Sequence, residues 1–233
     1  MYFANTGNPE HRGRTAEEVF AQGVEYFHGL DARFAELGVR LPREGVALDF
    51  GCGVGRVLVP MAQHFRRAVG VDVSAQMLEE ARRHLSGHSA DLRLYDGADI
   101  DGCLGDLRYD FLHTARTIQH IPPADGLRIL ESLLRRVEPG GAAYIQAPMC
   151  APHTLFHRLN AIREHSGLLI RLGHAVAGRR TQFRPSDPVH HWYLYSADVL
   201  LPLFHRVRME VRAVDLDPDP MGRHRAAWYL HRA

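Results

Sequence analysis

The residues with the clearest chemical meaning are the eleven from Val46 to Arg56, which read Val-Ala-Leu-Asp-Phe-Gly-Cys-Gly-Val-Gly-Arg. The first five are a short, mostly apolar run, which predicts a buried strand. Gly51, Gly53 and Gly55 follow, and an apolar-periodic segment begins at Val57. Strand, glycine turn and helix in this order are typical of the first βα unit of a nucleotide-binding α/β sheet, where glycine lets the backbone approach the ligand.

Two residues around this turn indicate which kind of nucleotide it suits. The dinucleotide fingerprint needs a third glycine three residues after the second, and Arg56 stands there. Asp49 lies directly under the turn, where its carboxylate would repel a pyrophosphate but attract an ammonium or sulfonium group. The turn therefore favours a nucleoside that carries a positive charge.

The elements that must position this turn alternate along the chain. Apolar patterning predicts strands over 46–50, 68–73, 91–95, 109–114, 142–146, 208–215 and 226–231, and helices over 15–37, 58–65, 75–85, 124–137 and 197–204. Regular alternation through five strands predicts a parallel, doubly wound α/β sheet. The last two strands have no helix between them and must be antiparallel. Residues 138–141, Glu-Pro-Gly-Gly, are predicted to be a tight turn into the fifth strand.

Leu48–Gly55 resembles motif I of the class I S-adenosylmethionine-dependent methyltransferases, and the predicted order of elements resembles their fold. The resemblance implies a seven-stranded, mostly parallel, Rossmann-like sheet with an antiparallel C-terminal hairpin and an inserted cap after the fifth strand. Residues 46–147 and 196–233 would form the core of this single domain. Residues 1–45, an arm and a helix, would cover the active site, and residues 148–195 would form the acceptor-site insertion.

The resemblance also implies a set of residues that bind S-adenosylmethionine at the carboxyl ends of the strands. Asp72 would accept hydrogen bonds from both ribose hydroxyls, Asp96-Gly97 would receive the adenine amino group, and Met77 would pack on the adenine face. The alternatives are a helix-capping acid, an ordinary Asp-Gly turn and simple helix packing. The complete predicted set is Asp49, Gly51, Gly53, Gly55, Asp72, Val73, Met77, Asp96, Gly97, Thr114 and Ala115, of which the last two would hold the methionine amino group through their backbone.

Methyl transfer from a sulfonium is a direct displacement, so alignment and a dry pocket are its main requirements and a base is needed only for an acceptor that carries a proton. His120 and His191 are the candidate bases. In many relatives a histidine at the position of His120 supports the site without doing chemistry. His191 is preferred to His190 because it resembles a histidine that the family often places before the sixth helix. For either, a packing role is the alternative.

Other classes of acceptor and cofactor find less support. Amino-modifying nucleic-acid methyltransferases carry an Asn/Asp-Pro-Pro-aromatic motif where this chain has Thr114–Thr117. Metal-dependent relatives need carboxylate or amide ligands after the fourth and fifth strands, and this chain offers Thr-Ala-Arg and Gln146–Pro148, so no metal is expected. A net charge of +1 gives no reason to expect nucleic acid or an anionic membrane as a partner.

The remaining composition bears on location. No apolar stretch approaches a membrane span, the start does not resemble a signal peptide, and the three cysteines are odd in number and widely spaced. These features predict a protein of the reducing cytoplasm. The leading hypothesis is an O- or N-methyltransferase acting on a small organic molecule. The alternatives are a methyltransferase-like binding or assembly protein without turnover, and a protein or RNA methyltransferase.

Overall fold

The structure, a computed structural model, describes residues 15–97, 99–150, 193–218 and 224–233. Its strands are β1 (Val46–Phe50), β2 (Arg67–Asp72), β3 (Ala90–Leu94), β4 (Tyr109–Ala115), β5 (Val137–Cys150), β6 (Glu210–Pro218) and β7 (His224–His231). Its helices are α1 (Ala16–Glu36), α2 (Leu58–His64), α3 (Ala75–His84), α4 (Ile100–Leu104), α5 (Pro123–Arg135) and α6 (Ala197–Arg206), with a 3₁₀ turn at Ile118–His120. The predicted strands and the predicted longer helices are all present, with bounds that differ by a few residues at most of their ends.

The seven strands form one sheet in the order β3-β2-β1-β4-β5-β7-β6. The pairs β1–β2, β2–β3, β1–β4 and β4–β5 are parallel, whereas β7 runs antiparallel to both β5 and β6. This confirms the predicted doubly wound, mostly parallel α/β sheet with an antiparallel C-terminal hairpin. Strand order reverses between β1 and β4, which places a ligand crevice at the carboxyl ends of these strands.

Helices cover both faces of the sheet, so the fold has three layers. On one face, buried apolar residues of α1, α2 and α3 pack against the sheet, among them Phe27, Phe34, Met61 and Leu78. On the other face the packing helices are α4, α5 and α6, with Leu104, Leu133 and Phe204 in the core. Burial on both faces is what a parallel sheet requires, and it explains why the strands read as apolar runs.

Helix α1 begins with the predicted capping box. The Glu18 backbone N–H donates to Oγ1 of Thr15 at 3.2 Å, and the Thr15 N–H donates to the Glu18 carboxylate at 2.7 Å. Its buried stripe contains Val19, Gly23, Phe27, Leu30 and Phe34. Spacings of three and four residues put this stripe on one side of the helix, which therefore lies lengthwise on the sheet.

Two local features differ from the prediction. Residues 138–141 are part of β5, which begins at Val137, and they form an irregularity because Tyr109 pairs with Val137 while Phe111 pairs with Ala142. Proline and two glycines suggested a turn, but Arg232 exchanges backbone hydrogen bonds with Gly140 and Gly141 and draws them into the sheet. The short helix α4 was not predicted, because five residues are too few for a visible period.

The predicted insertion, 148–195, lies mostly outside the described residues. Strand β5 continues past the expected boundary to Cys150, with Pro148 paired to Arg225 of β7. The chain is described again from Tyr193, and Tyr195 anchors it, donating its hydroxyl to the Ile121 carbonyl at 2.8 Å. In the described part of the chain, no helix is both long and apolar enough to cross a bilayer.

Candidate functional site

The predicted site residues follow strands whose carboxyl ends meet at one edge of the sheet. Asp49 of β1 is in register with Gly70 of β2 and with His113 of β4. Asp72 is the last residue of β2, and it is in register with Leu94 at the end of β3. The ends of four neighbouring strands are therefore side by side, as the prediction requires.

A different physical reason accounts for glycine at each of the three positions in the turn after β1. Gly51 has φ +81° and a Cβ there would lie 2.0 Å from Oγ1 of Thr117, so the room is needed by the segment that follows β4. Gly55, at φ +83°, packs against Ala81 of α3. Gly53, at φ +54°, has no protein atom within 4 Å of the position of a Cβ. Of the three, Gly53 leaves open space for a ligand.

Asp72 ties this turn to the end of β2. One carboxylate oxygen accepts from the Gly53 N–H at 2.8 Å and the other accepts from the Ser74 N–H at 2.9 Å. Ser74 caps α3 by accepting from the Met77 N–H at 3.3 Å, so the capping role is filled by Ser74 as the sequence indicated. Each carboxylate oxygen can accept more than one hydrogen bond, which leaves capacity for two further hydroxyl donors.

Apolar side chains are exposed at the ends of β2 and β3. Val73 is 65% exposed and Leu94 is 56% exposed, and Met77, in the first turn of α3, is half-buried. Leu94 was not singled out from the sequence, where it reads as one more apolar strand residue. Asp96 and Gly97 follow it, and Gly97 turns the chain at φ +88° with open space around it. Neighbouring exposed apolar groups at a strand edge are typical of a ligand-binding surface.

The end of β4 is built from a strained turn. Thr114 is fully buried, and Ala115, the last residue of the strand, accepts through its carbonyl from Oγ1 of Thr117 at 3.2 Å. Arg116 between them has φ +60°, a left-handed conformation that costs a residue with a side chain about 1–3 kcal/mol. Such conformations cluster at functional sites, since the surrounding structure must hold them.

Asp49 lies under the turn as predicted, but it has a partner that sequence reasoning missed. Its side chain is 3% exposed, and Oδ1 lies 2.7 Å from Nδ1 of His113. Nε2 of His113 in turn lies 3.1 Å from the hydroxyl of Tyr26 on α1. The sequence carries one signal for this pair, a polar residue inside each of two buried strands. Asp49 lies one position before the end of β1, and His113 lies two positions before the end of β4.

Of the two candidate bases, His120 lies in the part of the chain that the structure describes. His120 is exposed at the end of the 3₁₀ turn, and its Nε2 lies 3.2 Å from the side-chain amide nitrogen of Gln119. One ring nitrogen is therefore engaged, which favours a supporting role. His191 and its neighbour His190 lie outside the described residues.

The described residues offer little other reactive chemistry. No group of three or more His, Cys, Asp or Glu side chains among them is placed to hold a metal ion. Burial, and then the nearby Asp49 and Asp72, raise the pKa of the Cys52 thiol well above its usual value. Cys52 therefore stays a protonated, buried thiol beneath the turn, and thiolate chemistry is disfavoured there.

Comparison with known proteins agrees with this geometry. Residues 47–141 match a family described as a methyltransferase domain. Over 122 residues, half of this chain and 44% of the relative, the sequence is 33% identical to the ubiquinone biosynthesis O-methyltransferase of Chelativorans sp. (strain BNC1). It is 28% identical to the trans-aconitate 2-methyltransferase of Methylobacterium radiotolerans, over 84% of this chain and 79% of that one.

Among solved structures, the fold is similar to magnesium protoporphyrin IX methyltransferase from Synechocystis PCC 6803, crystallised with S-adenosylmethionine. The TM-score is 0.61 at 16% identity, over all of this chain and 94% of the other. The sheet order and the matching residues agree: residues 47–141 match a methyltransferase domain, and the fold is that of S-adenosylmethionine-dependent methyltransferase structures. Residues 47–141 carry the sequence match, and the sheet continues through β7.

Proposed function

We propose that this protein transfers the methyl group of S-adenosylmethionine to an oxygen or nitrogen atom of a small organic molecule, without a metal ion. The observation that carries the proposal is the joint formed by Asp72, Gly53 and Ser74, with exposed Val73 beside it. It presents acceptors for ribose hydroxyls next to an apolar surface for the adenine, at the carboxyl end of β2 and beside the β1–β4 crevice where the strand order reverses.

The remaining residues have roles that follow from their positions around this joint. Val73, Leu94 and Met77 contact the adenine of the cofactor. Asp96 and Gly97 receive the adenine amino group. The backbone at Thr114 and Ala115 holds the amino-acid end of the cofactor. Gly51, Gly53 and Gly55 shape the turn, and Asp49 supplies negative charge beneath it.

The chemistry asked of the protein is modest. S-adenosylmethionine supplies a methyl group on a good leaving group, so the chain has to align the acceptor with that methyl and exclude water. His191 is the preferred base for an acceptor that loses a proton, and His120 supports the site. The odd number and wide spacing of the cysteines support a location in the reducing cytoplasm.

The relatives support a small acceptor, since their names describe enzymes of ubiquinone biosynthesis and of trans-aconitate methylation. The protein or RNA alternative has no comparable support in the chain. The alignment covers less than half of the ubiquinone enzyme, so the acceptor is proposed by class only.

The test is methyl transfer in extract from the protein's own source. With isotope-labelled S-adenosylmethionine, we expect the label in molecules small enough to pass an ultrafilter, at a rate that EDTA does not change. The Asp72→Asn variant serves as the control that binds the cofactor poorly. Label in the protein or RNA fraction would favour those acceptors instead. Cofactor binding without transfer to any fraction would favour a binding protein.

A further inference from the structure

Helix α1 contacts the glycine turn directly. Gly23 faces Arg56, the residue after the last glycine, so closely that a Cβ on Gly23 would lie 2.1 Å from the Arg56 carbonyl oxygen. The guanidinium of Arg56 lies 5.6 Å from the centre of the Tyr26 ring, a cation–π contact. One face of α1 therefore reaches the same turn to which Asp72 is hydrogen-bonded.

From this helix, a line of hydrogen bonds runs to the carboxylate under the turn. Tyr26 contacts Nε2 of His113 at 3.1 Å, and Nδ1 of His113 contacts Oδ1 of Asp49 at 2.7 Å. The imidazole stacks on the Tyr144 ring with a centroid distance of 5.5 Å. Asp49 and His113 are each at most 3% exposed, so the pair is held inside protein.

The direction of these hydrogen bonds follows from the groups involved. Burial first, then the neighbouring Tyr144 and its hydrogen bond, raise the pKa of Tyr26 well above its usual value, so its hydroxyl stays protonated. An ionised carboxylate can only accept, so a neutral imidazole carries its proton on Nδ1 and donates it to Asp49, while its Nε2 accepts from the Tyr26 hydroxyl. Without the Tyr26 hydroxyl, Nε2 loses its donor and this end of the imidazole is no longer held by a hydrogen bond.

Asp49 keeps one oxygen for another partner. His113 is bonded to Oδ1, and the second carboxylate oxygen, Oδ2, can also accept hydrogen bonds. The strand beside it, β4, ends in Thr114 and Ala115, where the proposed site holds the amino-acid end of the cofactor. A fixed carboxylate at this place attracts a positive charge.

We propose that Tyr26 and His113 are positioning residues that orient the Asp49 carboxylate toward the positively charged amino-acid end of the cofactor. The assignment rests on the proposed function. Through Tyr26, helix α1 would then contribute to the cofactor site, although it precedes the matched residues 47–141. A purely packing role would need only the rings of Tyr26 and His113. Their polar atoms instead form hydrogen bonds that lead to the Asp49 carboxylate.

The test compares three ligands in the Tyr26→Phe variant, which keeps the ring over which Arg56 lies. S-adenosylmethionine and S-adenosylhomocysteine contain the amino acid, and 5′-methylthioadenosine lacks it. We expect the first two to bind about fivefold to tenfold more weakly than to the wild type, as loss of one orienting hydrogen bond implies, and the third to bind equally.

Tyr109→Phe is the matched control. Tyr109 also donates its hydroxyl to a buried acceptor, the Leu133 carbonyl, but at the opposite end of β4. Loss of the Tyr109 hydroxyl should lower stability and leave all three affinities unchanged.

A second readout is the nitrogen-15 spectrum of the histidine side chains, in which the His113 signals are assigned by their disappearance in His113→Gln. The proton should be on Nδ1 in the wild type, and the Nε2 resonance of His113 should shift in Tyr26→Phe because Nε2 loses the hydrogen bond from the hydroxyl.

Equal weakening of all three ligands in Tyr26→Phe would overturn the proposal, because it would indicate a loosened α1 alone. Unchanged affinity for S-adenosylmethionine, or a wild-type His113 protonated on Nε2, would overturn it as well. Failure of the wild type to bind any of the three ligands would instead contradict the proposed function and, with it, the role of Asp49.

Discussion

Replacing Gly51 with alanine is expected to lower the melting temperature by roughly 10 °C and to abolish cofactor binding. The left-handed backbone at φ +81° costs a residue with a Cβ about 1–3 kcal/mol, and overlap with Thr117 adds about 1–3 kcal/mol. For a chain of this size, about 1 kcal/mol corresponds to about 2–4 °C. Differential scanning calorimetry measures the change directly.

Gly53→Ala is the matched control for this prediction. Its backbone is also left-handed, but its Cβ would meet no protein atom within 4 Å, so only about 1 kcal/mol and a shift of a few degrees are expected. The new methyl group would project into the space proposed for the cofactor, and affinity should fall while the protein stays folded. A Gly51→Ala variant as stable as Gly53→Ala would contradict the contact with Thr117.

The Asp72→Asn variant is expected to lower cofactor affinity by about 100-fold, which corresponds to about 3 kcal/mol. Asp72 uses one oxygen for Gly53 and the other for Ser74, and an amide has only one oxygen to offer. Its NH₂ group would face a backbone N–H, which opens the joint. The side chain that is proposed to accept from the ribose hydroxyls would also lose its negative charge. Hydrogen bonds to charged groups contribute about 1.5–3 kcal/mol each. Isothermal titration calorimetry with S-adenosylhomocysteine measures the change.

Asp110→Asn separates this loss from a general effect of removing a carboxylate. Asp110 accepts from the Val46 N–H at 2.7 Å, so it also holds backbone, but at the amino end of β1. We expect it to cost about 1 kcal/mol of stability or less, since an amide oxygen can still accept that bond, with cofactor affinity unchanged. Equal affinity losses in the two variants would argue against a ligand role for Asp72.

The fold was readable from the sequence where patterning is local. Apolar runs at 46–50 and 109–114 and the capping box at Thr15 each depend on neighbouring residues alone, and each was found in place. Residues 138–141 were misread because Pro-Gly-Gly is a local turn signal, while Arg232, far along the chain, pairs with them in the sheet. Long-range pairing of this kind overrides local preference.

The site was readable only in part for the same reason. Glycines and strand-end acids mark the edge of a nucleotide-binding sheet by spacing, so Asp72 and Gly53 could be placed together. The contact of Gly51 with Thr117 depends on β4 lying beside β1. The link from Asp49 to Tyr26 depends in addition on how α1 packs, and no local pattern encodes it.

A calorimetric titration of the wild-type protein with S-adenosylhomocysteine, the product of the proposed reaction, tests most simply whether this chain binds the cofactor. We expect saturable binding of one molecule per chain, strongly weakened in Asp72→Asn and retained in Asp110→Asn. A folded wild-type protein that releases or absorbs no binding heat at several temperatures, and whose melting temperature the ligand does not raise, would contradict it.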